Sequence, residues 1–163
     1  MKIHQNHSIL IVIVLFIIIA CDSKRVFDSY VTLPNQTWNS EQPVDFSFTV
    51  KDTIHTSNLF INIRNNSEYA FSNLFLITSL VFPDGKKVVD TLEYEMADAT
   101  GKFLGNGFAE NREHKLFYKE QVVFPNSGTY KISISQAMRK NGEIDGIQQL
   151  KGITEVGFRI ENK

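Results

Sequence analysis

From Val26 onward, apolar and polar residues recur with a period of two. Val44-Asp45-Phe46-Ser47-Phe48-Thr49-Val50 alternates without a break. Successive side chains of a strand point to opposite faces, so this stretch predicts a strand with one buried face. Phe27 to Leu33 is more mixed and predicts an edge strand ending at Pro34. The polar loop 35–42 follows and carries Trp38. Lys51 to Asn58 reads as a turn. Leu59, Ile61 and Ile63 predict a second strand whose other face is partly polar, and Asn65-Asn66-Ser67 ends it. Ser72 to Phe82 is the most apolar segment after residue 21 and predicts a central strand packed on both faces. Pro83-Asp84-Gly85-Lys86 predicts a tight turn, because proline presets φ and glycine accepts a positive one. Lys87 to Glu95 then pairs back as a hairpin. The alternation breaks between Met96 and Ala109, where Gly101, Gly105 and Gly107 surround Phe103, Leu104 and Phe108. It resumes at His114 to Phe124, at Tyr130-Ile132-Ile134 and at Ile153 to Ile160. Ile147 to Lys151 predicts a short helical turn. No long run shows helical periodicity. Seven or eight strands separated by turn signals predict an all-β protein, an antiparallel β-sandwich of jelly-roll or immunoglobulin-like type.

The start of the chain has a different pattern. Lys2, His4 and His7 precede an unbroken apolar run from Ile9 to Ala20. As a helix those residues reach roughly 18 Å, against about 30 Å of bilayer hydrocarbon. The run is too short to span and reads as the apolar part of a secretory signal. Ile18-Ile19-Ala20-Cys21 resembles the bacterial lipobox. That resemblance implies cleavage between Ala20 and Cys21, a diacylglycerol on the Cys21 sulfur and acylation of the new amine. The expected organisation is a signal peptide over 1–20, a lipidated cysteine and tether over 21–30, and one sandwich domain over 31–163. Cys21 is the only cysteine, so no internal disulfide exists. In an exported protein a lone thiol is a hazard, and here a lipid would consume it. Three acyl chains would hold the protein at a membrane essentially permanently. No acidic run follows Cys21, which points to the periplasmic face of the outer membrane. The formal charge of −1 becomes −2 once Lys2 is lost. Neither value suggests a nucleic-acid partner.

Candidate chemistry is sparse. His55 and His114 are the only histidines after the signal, and neither has converging partners for a metal or a general base. The glycine segment lacks the Lys-Ser/Thr pair of a phosphate loop. Phe103 and Phe108 either plug the open end of the core or present themselves to a partner. Arg64 and Arg139 either lay apolar stems on the sheet or pair with a carboxylate such as Asp90, Glu93 or Asp98. Trp38, with Tyr30, Tyr69 and Tyr94, forms either a sugar-binding platform or part of the core. Asp52-Thr53-Ile54 and Asp90-Thr91-Leu92 resemble short O-glycosylation sites of exported Bacteroidetes proteins, with Thr53 and Thr91 as acceptors.

The order of several short features resembles the gliding motility lipoprotein GldH family of the Bacteroidetes. They run from Cys21 through Trp38, Ile63-Arg64, Tyr69 and Phe71-Ser72-Asn73-Leu74 to Asp90-Thr91-Leu92. Gly101-Lys102-Phe103-Leu104-Gly105-Asn106-Gly107 follows, then Gly128-Thr129-Tyr130, Gln136-Ala137-Met138-Arg139, Gly152-Ile153 and Val156-Gly157. Position 103 is Phe here where family members often carry Trp. The resemblance implies a membrane-anchored envelope lipoprotein with gliding or secretion proteins as partners, tied to type 9 secretion. It implies no enzyme, cofactor or catalytic residue. The alternative function is an envelope carbohydrate-binding module that uses exposed aromatics on a glycan.

Overall fold

Strict alternation leaves each strand with one apolar face, and two sheets bury those faces against each other. The structure, a computed structural model, describes residues 24–108 and 111–163. The expected signal segment, with Ala20 and Cys21, lies outside the described residues. In chain order the strands are β1 (Arg25–Thr32), β2 (Thr37–Asn39), β3 (Val44–Val50), β4 (Ser57–Asn65) and β5 (Asn73–Val81). They continue with β6 (Lys87–Glu95), β7 (Arg112–Val122), β8 (Gly128–Gln136), β9 (Gln149–Lys151) and β10 (Ile153–Asn162). One antiparallel sheet has the order β1-β10-β4-β7 and the other β3-β8-β5-β6, while β2 and β9 form a separate ribbon. The eight long strands match the expected sandwich. The β5–β6 hairpin pairs in register from Asn73–Glu95 to Val81–Lys87 around the Pro83-Asp84-Gly85-Lys86 turn.

The core lies between the sheets. Leu59, Ile61, Ile63, Val156, Phe158 and Ile160 come from one side. Phe46, Phe48, Leu74, Leu76, Tyr130, Ile132 and Ile134 come from the other. Phe158 sits 5.5 Å from the ring of Phe48 and 6.2 Å from that of Phe46, and Phe48 stacks on Tyr130 at 5.6 Å. The β6 and β7 edges are joined by hydroxyls: Tyr94 donates to the Phe117 carbonyl (2.7 Å) and Tyr118 to Asp90 Oδ2 (2.8 Å).

Two local expectations are corrected, for β5 and for residues 149–151. β5 buries Leu74, Leu76, Thr78 and Leu80, but its other face is open, with Ile77 42% exposed. Its central place in the sheet comes from hydrogen bonding on both edges, not packing on both faces. β4 is the strand buried on both faces. Its outward Phe60 lies 4.6 Å from the Phe117 ring and 4.1 Å from the Lys115 ammonium. Residues 149–151 form β9 instead of a helical turn, because they pair with β2.

The sandwich has two distinct ends. Residues 24 and 25, the 51–56, 82–86 and 123–127 connections and the C-terminus gather at one end. The 33–43, 66–72, 96–108 and 137–148 connections gather at the other. A nine-residue strand such as β5 spans about 30 Å between them.

The open face of β5 is testable by urea unfolding. Leu76→Ala should lose about 2–5 kcal/mol. Ile77→Thr, one residue on, should stay within about 0.5 kcal/mol of the parent.

Candidate functional site

The end remote from residue 25 carries most of the residues singled out above. The 96–108 connection is held to the sheets by its backbone. Met96 and Ala97 both donate to the Ser72 carbonyl (2.7 and 3.1 Å), and Leu104 donates to Met96 (2.9 Å). Asp98 Oδ1 accepts from the Thr100 hydroxyl (2.6 Å) and from the Thr100 and Lys102 amides (2.8 and 3.1 Å). Gly101, at φ +84°, completes that turn. Asn106 and Glu113 exchange two backbone hydrogen bonds (2.9 and 2.7 Å), pressing the loop onto the start of β7. The approach is so close that a Cβ at Gly107 would lie 2.0 Å from the Asn111 carbonyl oxygen.

This placement divides the two phenylalanines. Phe103 is half-buried, 6.4 Å from the Tyr69 ring and 6.5 Å from His114, and closes the end of the core. Phe108 is 93% exposed. Across the same end, Ile144 in the 137–148 connection is 88% exposed. Nothing in the sequence singled out Ile144, because a lone apolar residue in a polar loop has no period to betray it. Arg139 is exposed in the same connection and bridges Gly146 through its backbone.

The remaining candidates fall elsewhere. Trp38 is 1% exposed, covered where β2 pairs with β9, so it offers no face to a sugar. Tyr69 is also buried, and its hydroxyl donates to the Asn73 carbonyl (2.6 Å). Of the two readings given for these rings, Trp38 and Tyr69 follow the core one. His114 is buried with Nε2 2.9 Å from Asn65 Oδ1, and burial, with the Arg112 charge, pushes it towards the neutral form. No group of three metal-ligating side chains occurs among the described residues. Thr53 is half-buried in the 51–56 connection, and Thr91 is exposed in the middle of β6 opposite Ile77.

Arg64 belongs to a polar lattice on the outer face of the β1-β10-β4-β7 sheet. Its Nε donates to Glu113 Oε2 (3.0 Å) and its Nη1 to Glu155 Oε2 (2.5 Å). Its expected partners are engaged elsewhere: Asp90 by Tyr118 and Lys119, Glu93 by Asn73, Asp98 by its own turn. The guanidinium lies 4.6 Å over the Tyr30 ring. Tyr30 reaches across β10 to donate to Glu113 Oε1 (2.8 Å) and accept from Asn62 Nδ2 (2.8 Å). Gly157 permits that crossing, since a Cβ there would lie 2.7 Å from the Tyr30 ring. Next in the lattice, Asp28 accepts from Arg159 Nη1 (3.0 Å), and Glu161 accepts from Arg159 and Lys115 (2.5 and 2.7 Å). Burial alone would raise the Glu161 carboxyl, but those cations outweigh it and hold it low.

Gly157→Ala should displace Tyr30 and cost about 1–3 kcal/mol, read by urea unfolding. Burial, then the hydrogen bond to Glu113, pushes the Tyr30 phenol up to about 12, from an ordinary value near 10. The folded state therefore binds that proton more tightly. Its contribution is complete below about pH 10 and is lost as pH rises towards 12. Tyr94, also at about 12, shares the window. Tyr30→Phe should make the fall in stability between pH 10 and 12 shallower without abolishing it.

The GldH lipoprotein family matches residues 25–160. A gliding motility lipoprotein GldH homolog of Christiangramia forsetii is 54% identical over 142 residues, 87% of this chain and 86% of its own length. The gliding motility lipoprotein GldH of Flavobacterium johnsoniae is 46% identical over 159 residues, 98% of each chain. Among solved structures, the VP2 subviral particle of infectious bursal disease virus aligns with 86% of this chain at 16% identity and a TM-score of 0.39. The chain spans about a third of that viral protein's length, 34%. With the family matched over residues 25–160 and both relatives aligned over most of their length, this chain belongs to the GldH family of gliding motility lipoproteins.

Proposed function

We propose that this lipoprotein is a non-catalytic accessory or assembly component of the gliding machinery, linked to type 9 secretion, and that it works by protein recognition. Cys21, the only cysteine, is the one residue that can carry a thioether-linked lipid. The anchor holds the domain on the periplasmic face of the outer membrane. The remote end of the sandwich then faces away from that membrane and meets the partner.

The observation that carries this reading is Phe108. A phenylalanine 93% exposed on a loop leaves a large apolar surface in water. Covering such a side chain is worth roughly 1.5–3 kcal/mol. The 96–108 connection is already tied down by Ser72, Met96 and Glu113, so binding would freeze little further motion there. Ile144 and Arg139 extend the same end. Aromatic and arginine anchors dominate most protein interfaces. No observation favours the carbohydrate-binding alternative, since Trp38 and Tyr69 are buried.

Phe108→Ala should leave the melting temperature unchanged. In living cells it should weaken crosslinking to the envelope partner about tenfold and impair gliding. Crosslinking at parental strength would refute recognition through this end. Cys21→Ser should move the protein from the membrane fraction to the soluble one.

A further inference from the structure

We infer that the other end of the sandwich, from which the anchor emerges, docks directly on the anionic headgroups of the bilayer. The inference rests on the lipid-anchor reading above. The tether is short: Cys21 precedes Lys24 by three residues, which reach at most about 11 Å. Its exit point is pinned, because the Lys24 carbonyl accepts from the Asn162 amide at 2.8 Å. This end therefore stays within about one headgroup layer of the membrane, while the remote end stands about 30 Å further out.

The surface held there suits such a neighbour. Lys24, Arg25, Lys51, Lys86, Lys87 and Lys163 are all exposed at this end. The acids beside them are Asp52, Asp84 and Glu120, together with Asp28, 3.7 Å from Arg25, and Glu161, opposite Arg25 in register. Asp52 is turned into its own loop, accepting from the Ile54 and His55 amides (2.9 and 3.0 Å) and contacting the His55 ring (2.6 Å). Asp84 accepts from the Lys86 amide (3.0 Å) and from Asn126 Nδ2 (3.3 Å). Asp28 and Glu161 are matched by Arg159 and Lys115, which leaves the six cations against three acids. Charges act only within about 8 Å at physiological salt, so the cations at this end dominate the field at the leaflet. The loop that Asp52 organises presents Ile54, 79% exposed, at its tip. Val26 and Val123 are exposed at the same end. Basic side chains around protruding aliphatic tips match a phospholipid surface, with headgroup phosphates for the cations and the acyl boundary for Ile54.

The test uses the full-length lipidated protein carrying Ile54→Cys, labelled with an environment-sensitive fluorophore. Lipidation consumes the Cys21 thiol, so the label enters at position 54 only. A second protein carries Ile144→Cys at the remote end. Both are reconstituted into vesicles of phosphatidylcholine with or without phosphatidylglycerol, and flotation reads the anchor separately. With phosphatidylglycerol, the label at 54 should shift to the blue and be quenched by nitroxide lipids several-fold more than the label at 144. The combined changes Lys51→Glu, Lys86→Glu and Lys87→Glu should remove that difference while flotation persists. Protein that floats while its two labels respond alike overturns the docking alone. Protein that does not float overturns the anchor and the docking with it. A native mass showing a sugar on Thr53 also overturns the docking, because a glycan beside Ile54 would hold this loop off the headgroups.

Discussion

Phe158 lies against Phe27, Phe46, Phe48 and Tyr118, and this contact between aromatic rings of the two sheets is what the rest of the structure depends on. No disulfide assists it. Apart from β5 and β6, no two successive strands are neighbours in one sheet, so nearly every connection carries the chain elsewhere. β1 pairs with β10 across almost the whole sequence, Asp28 opposite Arg159. Such distant pairings offer little until loop-closure entropy has been overcome. Burial of the interdigitated rings, at roughly 1.5–3 kcal/mol for each large side chain, makes closure favourable.

The outer face of the β1-β10-β4-β7 sheet shows how a half-exposed strand becomes a buried one. Cross-strand register aligns Thr32, Glu155, Arg64 and Glu113 in one row, and Tyr30, Gly157, Asn62 and Lys115 in the next. Opposite charges then stand side by side and cover β4 with their own stems. Exposed ion pairs are individually worth little. Here the pairs share partners, and the Arg64 guanidinium lies over the Tyr30 ring, so the lattice orders the surface. Conversely, the face containing Ile77 carries mostly short side chains, such as Ser79 and Ser133, that cannot reach across it.

The sandwich's two ends carry different chemistry because every long strand runs from one to the other. Glycines let the 96–108 connection press onto β7 until Phe103 is drawn into the core and Phe108 is left outside. At the end that carries residues 24 and 25, Asp52 does comparable work by caging the backbone of its own loop and lifting Ile54 out of it. Each end thus displays apolar tips on a backbone held by hydrogen bonds.

Periodicity alone determined much of this. Val44 to Val50 and Tyr130 to Ile134 could only be one-sided strands, because a register slip would turn every apolar residue outward. Pro83-Asp84-Gly85-Lys86 marked its hairpin by backbone conformational preference, and the ordered short features pointed to the family. What tertiary structure alone decided was which apolar residues meet. Ser72 to Phe82 lacks the two-sided burial its composition suggested, while the partly polar second face of Leu59 to Arg64 is covered, since such burial depends on what neighbouring strands lay over the second face. Trp38 sits in a polar stretch that left platform and core both open, and a pairing 112 residues away, with Leu150, covers it. Phe103 and Phe108 are indistinguishable as letters. Only the folded path of the backbone put one beside Tyr69 and left the other in water.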